Sequence, residues 1–203
     1  RERRGGLERL RLLHADGREE SVAADESAYS MGLDVNSEPD SDWLRYGYTS
    51  LTTPATVYEV NVRTGERRLL KRQPVPGYDP AQYVTERLWA SARDGTRIPV
   101  SIVYRKGFRK DGRAALLQYG YGSYGLSMDP AFSPTVVSLL DRGMAYAIAH
   151  IRGGQELGRP WYEDGKLLKK QNTFTDFIDV TDFLVREGYA APDRVAAYGG
   201  SAG

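Results

Sequence analysis

The chain has 203 residues, with 28 Lys and Arg against 27 Asp and Glu, two His and no Cys, for a formal net charge of +1. This balance argues against a nucleic-acid binder, which needs a net basic face. The missing Cys excludes a disulfide scaffold, a Cys-ligated zinc site and a Cys nucleophile. Two His are too few for a His-rich metal site, and no apolar run approaches the roughly 18 residues of a membrane span.

The first 75 residues read as β-structure. Asp16-Gly17 is a hairpin turn between two short runs. Trp43 to Leu51 alternates and is rich in aromatic residues. Val57 to Val62 leads through a Thr64-Gly65 turn into a return strand containing Leu69 and Leu70. Short strands at this spacing suggest a sandwich, barrel or propeller. Lys71 to Tyr83 carries three prolines and a glycine, and is expected to be a linker or domain crossing.

Arg87 to Gly107 is a further hairpin, turning at Asp94-Gly95. The pattern then becomes α/β. Ala114 to Tyr119 and Met144 to Ile151 read as buried strands, with a helix over Thr135 to Gly143 between them. A second helix follows, its apolar face assigned to Phe174, Phe177, Ile178, Thr181, Leu184 and Val185. Thr173 and Asp176 have the spacing of a capping box, and Gly188 stands as the C-cap. Arg194 to Tyr198 is the last strand. Strand–helix alternation with short links predicts a parallel sheet with right-handed crossovers.

Gly199-Gly200-Ser201-Ala202-Gly203 fits G-x-S-x-G directly after a buried strand. That is the setting of a nucleophile elbow, in which the turn is so tight that the neighbours of the serine must be small. Ser201 is the candidate nucleophile, and the Ala202 N–H a candidate oxyanion donor. The alternative is a Gly-rich turn with an incidental serine. Tyr119 to Gly125 follows an earlier strand, where this fold places its other oxyanion donor, and a tyrosine hydroxyl is competent for that role. The same run also reads as a surface loop with tyrosines packed on the core. Arg152, in Arg152-Gly153-Gly154, is expected to hold its loop through a carboxylate pair. His14 lies in the β region, and His150, ending a buried strand, reads as a satisfied core histidine. In the α/β-hydrolase order the acid and the His both follow the Ser. The chain opens on Arg1 and stops inside a Gly-rich turn, so it is expected to be part of a longer protein, inactive by itself.

Three ordered blocks resemble the prolyl oligopeptidase family of serine peptidases: the YGYGSYG run, the stretch from AHIRGGQELG to QNTFTDF, and GGSAG. Within it the oligopeptidase B branch is the most similar. The resemblance implies the C-terminal blades of a β-propeller over residues 1–75, then the N-terminal part of an α/β-hydrolase domain over 76–203. It implies Ser201 as nucleophile, Tyr121 and the Ala202 N–H as oxyanion donors, and short peptides cleaved after Arg or Lys as substrates. Asp129 matches one of two acidic positions linked to a second basic residue, while Ala131 departs from the other. Gln155 replaces a glycine common in the family. No metal, cofactor, nucleic acid or membrane partner is implied, and a cytoplasmic location is. An esterase or acyl-aminoacyl peptidase of the same fold is the alternative enzyme, and a non-catalytic interaction module the alternative of another class.

Overall fold

A computed structural model describes residues 1–203. Its N-terminal part is entirely antiparallel. β1 (Glu2–Arg4) pairs with β2 (Leu7–Arg9), and β3 (Arg11–Leu13) pairs with β4 (Glu19–Ser21) across Asp16-Gly17. β5 (Tyr29–Leu33), β6 (Trp43–Ser50), β7 (Thr56–Asn61) and β8 (Arg67–Arg72) form a four-stranded meander in sequence order, the shape of a propeller blade. Period-2 alternation explains its buried face. Tyr46 and Tyr48 of β6 and Tyr58 and Val60 of β7 point inward onto Leu10 and Met31. β8 is exposed along its length, Leu69 and Leu70 included.

The Pro-rich crossing is packed rather than loose. Its 3₁₀ turn, Pro80–Gln82, is capped by the Asp79 side chain. Tyr78 stacks on Tyr83, meets Phe132 edge-on, and donates its hydroxyl to the Thr52 carbonyl at 2.5 Å.

The second sheet has the order β13-β11-β12-β10-β9. β9 (Tyr83–Ser91) and β10 (Arg97–Arg105) form the hairpin expected at Asp94-Gly95. β11 (Leu116–Tyr119) runs parallel to both β12 (Ala145–Ala149) and β13 (Val195–Tyr198). β12 is antiparallel to β10, so the sheet is mixed, with its parallel part confined to β12, β11 and β13. α1 (Pro134–Leu140), α2 (Arg159–Glu163) and α3 (Gln171–Arg186) complete the unit. Val100 and Ile102 of β10 and Ala147 of β12 pack under Val180 and Leu184 of α3. On the other sheet face Leu51, from the N-terminal part, closes a small core with Val103, Leu140 and Ile148. No helix is long and apolar enough to cross a membrane.

Two expectations for α3 need correction. Its buried stripe is Thr173, Asp176, Val180 and Leu184, while Phe174 and Ile178 are 53% and 49% exposed. Thr173 and Asp176 form no capping box, because the helix starts before them, at Gln171. The Thr173 hydroxyl donates to the Arg152 carbonyl at 2.8 Å, and Asp176 binds the Arg152 guanidinium. Both side chains are polar and buried because a neighbouring loop satisfies them. Gly188 follows the helix at φ +80°, as the C-cap reading requires.

Candidate active site

β13 sits at the edge of the sheet beside β11, and the turn after Tyr198 folds back on itself. The Gly203 N–H donates to the Gly200 carbonyl at 2.8 Å. Ser201 lies at the turn's apex with φ +55°, one of three non-glycine residues in the left-handed region. That conformation costs an L-residue roughly 1–2 kcal/mol. Small neighbours permit it: a Cβ at position 199 would stand 2.4 Å from the Gly203 carbonyl carbon. Ser201 is exposed, and the Ala202 N–H has no acceptor within the chain.

The parallel pairing of β11 with β13 brings the loop after Tyr119 to the same place. The Gly120 N–H reaches the Tyr198 carbonyl at 3.3 Å, and a Cβ on Gly203 would lie 3.0 Å from the Tyr121 Cα. The Tyr121 hydroxyl bonds no other residue. Gly122, at φ +66°, lies so close to α3 that a Cβ would come within 2.4 Å of the Thr173 methyl. Between this loop, the turn and α3 lies a cleft of about 380 Å³, walled by Tyr121, Phe174, Phe177, Ile178 and Tyr198. Gly199, Ala202 and Gly203 of the turn border the same space.

The remaining candidates lie apart from this point of convergence. Arg152 is held by Asp176 through Nε (2.8 Å) and Nη2 (2.5 Å), and by Asp94 through Nη1 (2.7 Å). Burial pushes the Asp94 carboxyl up, but the Thr96 N–H and the Arg152 guanidinium outweigh it and hold the pKa at about 2. Arg152 is thus the loop anchor expected. His150 is wholly buried, its Nε2 2.8 Å from Ser101 Oγ, and burial pushes its pKa down. His14 lies in the β3–β4 turn, beside Arg18 and Glu20. Neither His contacts Ser201. Asp129 binds Arg3 of β1 through both carboxylate oxygens, at 2.5 and 2.9 Å, with no contact to Ser201 or Tyr121.

Comparison with known proteins agrees with this two-part organisation. The profile of the prolyl oligopeptidase N-terminal β-propeller domain matches residues 1–73, and that of the prolyl oligopeptidase family matches residues 130–203. Dipeptidyl aminopeptidase BI of Pseudoxanthomonas mexicana is 70% identical over the whole chain, and Protease 2 of Moraxella lacunata is 42% identical over 99% of it. The chain spans only 28% and 29% of those two relatives. Oligopeptidase B from Trypanosoma brucei with covalently bound antipain superimposes with a TM-score of 0.86 at 38% identity, covering 98% of this chain and 30% of that one. The chain belongs to the prolyl oligopeptidase family.

Membership in the prolyl oligopeptidase family accounts for an antiparallel blade followed by an α/β-hydrolase sheet. Sequence reasoning missed Lys170, and it gave Thr173 to a capping box and Phe174 and Ile178 to a buried face, whereas all four border the Tyr121 loop or the cleft.

Proposed function

We propose that this chain is the nucleophile-bearing part of a serine oligopeptidase, with Ser201 attacking the scissile carbonyl of a short peptide. The observation that carries the reading is the left-handed backbone of Ser201 on a strand-ending turn that abuts Tyr121. In this proposal Ser201 Oγ bonds to the carbonyl carbon as a histidine general base takes its proton. The oxyanion accepts hydrogen bonds from the Tyr121 hydroxyl and the Ala202 N–H, both without another partner. Collapse expels the leaving amine, which receives the proton, and water then hydrolyses the acyl-enzyme by the same route. His150 is committed to Ser101, so the base and its orienting acid are proposed to lie outside these 203 residues, which alone are then inactive.

The proposal divides the chain into propeller blades over 1–75 and the hydrolase domain over 76–203. Cleavage after Arg or Lys and a cytoplasmic location are parts of it that rest on the family resemblance. Cell fractionation tests the location. Asp129 can contribute to substrate binding only by exchanging Arg3 for a basic substrate residue, and with Ala131 beside it this gives no strong dibasic preference. A second reading is removal of dipeptides from a free amino terminus, favoured by the name of the 70%-identical relative. An arginyl dipeptide 4-nitroanilide assayed with free and with acylated amino terminus separates the two.

The central test is covalent labelling of the full-length gene product by a fluorophosphonate. Label is expected on Ser201 and lost in Ser201→Ala. Undiminished labelling of that variant rejects Ser201 as the nucleophile, and an unlabelled wild type rejects the enzyme and leaves the interaction module.

A further inference from the structure

We infer that Lys170 is a positioning residue for Tyr121: from the start of α3 its ammonium grips the Gly122 carbonyl and the Ser123 hydroxyl, and so fixes the oxyanion loop against the turn that bears Ser201. The inference rests on the proposed roles of Ser201 and Tyr121.

Three lysines lie close together before α3, and they are used differently. Lys166 pairs with Glu163 and Lys169 with Asp164, both on the surface. Lys170 makes no ion pair. Its Nζ donates instead to Gly122 O and Ser123 Oγ, each at 2.6 Å, and stands 5.8 Å from the Phe174 ring at the wall of the cleft. Ser123 is itself buried.

Fold stability alone gives a poor account of this placement. Lys170 joins a 3₁₀ turn, Leu167–Lys169, to a 16-residue helix, and its side chain makes no capping bond to that helix. Its burial brings no compensating carboxylate. What the ammonium gains there is contact with the two residues directly after Tyr121.

That loop needs an external anchor. Gly122 and Tyr124 both have left-handed backbone, at φ +66° and +56°. Lys170 and Thr173, one turn apart on α3, both face the Gly122 carbonyl, and Gly153 closes on the same oxygen from the next loop. An oxyanion donor works only when set 2.7–3.1 Å from the oxygen it stabilises, and misplacement by about 1 Å can cost about 10²-fold. Lys170 is the only charged group bonded to this loop segment.

The test is a double-mutant cycle in the full-length protein, with an arginyl peptide 4-nitroanilide as substrate and fluorophosphonate labelling of Ser201 run in parallel. Lys170→Met is expected to lower kcat by about 10- to 100-fold with KM within about threefold. Lys170→Arg, which keeps the charge and the reach, restores most of it. In a Tyr121→Phe background the same Lys170→Met change is expected to cost less than about threefold, because the group it positions is gone. If Lys170→Met fails to fold, Ser123→Ala replaces it, with a smaller loss of kcat that again vanishes behind Tyr121→Phe. Losses that multiply in full, or a Lys170→Met enzyme within about threefold of wild type, overturn the inference. A wild-type Ser201 that takes no label overturns the underlying serine-hydrolase reading instead, so the two failures are distinguishable.

Discussion

Ser201 is held in its left-handed conformation by what surrounds it. The turn is so tight that Gly199 and Gly203 are in van der Waals contact, leaving no room for a Cβ at position 199. Gly199→Ala is therefore expected to open the turn, at a cost of about 1–3 kcal/mol for the overpacked site. Displacement of Oγ from the position proposed for attack should slow fluorophosphonate labelling on the order of 10²-fold. Thermal melts and labelling rates of the full-length variant check the two effects; unchanged labelling would show that the turn tolerates a side chain there. The tight turn after β13 was legible in the sequence because its constraint is local: five residues, with small ones where the backbone doubles back. Lys170 was not legible. In LLKKQN it looks like any solvated lysine, and only its contact with Gly122, 48 residues earlier, sets it apart.

α3 was placed correctly along the chain but rotated about its axis. The expected face took the apolar residues as buried, yet Phe174 and Ile178 wall the cleft, while Thr173 and Asp176 face inward to the Arg152 loop. Burial of a carboxylate depends on a partner 24 residues away, which periodicity within one helix cannot register. The strands and hairpins were legible because alternation and Asp-Gly turns are local signals. The sheet's antiparallel β10–β12 pairing was not, being set by how distant strands meet. The Arg152 cluster gives an element-level prediction. The Asp176 side chain is fully buried, the Arg152 side chain 7% exposed and the Asp94 side chain 43% exposed. Arg152→Met leaves Asp176 buried without a cation and should destabilise by about 3–5 kcal/mol. Asp94→Asn removes an exposed, solvent-screened partner and should cost at most about 1 kcal/mol. Chemical denaturation of the full-length variants ranks them; equal costs would mean that Asp94, not Asp176, carries the pair.

At the scale of the whole molecule, the β1–β2 hairpin is joined to the five-stranded sheet by polar contacts that run deep into that sheet. Arg3 of β1 binds Asp129, and Arg87 of β9 donates to the Gly5 carbonyl at 3.1 Å and to Ser101 Oγ at 2.8 Å. Ser101 Oγ also shares a hydrogen bond with His150 Nε2 at 2.8 Å, and His150 Nδ1 faces Glu156 Oε1 at 3.8 Å. Burial is the main force holding His150 neutral, with the Arg87 charge next; Glu156 opposes them. The consequence for stability has a definite sign. Unfolded, His150 takes up a proton below about pH 6.5, whereas the folded protein resists that proton until lower pH. The contribution is complete above pH 6.5 and is lost as pH falls toward the depressed folded pKa, at up to about 1.4 kcal/mol per pH unit for one proton. Asp94 acts separately and lower down, its share being lost only between its ordinary 3.8 and about 2. His150→Gln keeps an acceptor for Ser101 without the titration, so its stability should start lower at neutral pH and then fall less steeply between pH 6.5 and 5. Unfolding free energies of the two full-length proteins across that interval decide the matter. Parallel curves would mean that His150 accepts its proton in place, with Glu156 moving in to receive the Nδ1–H, and that the network joining the β1–β2 hairpin to the five-stranded sheet is softer than its burial implies.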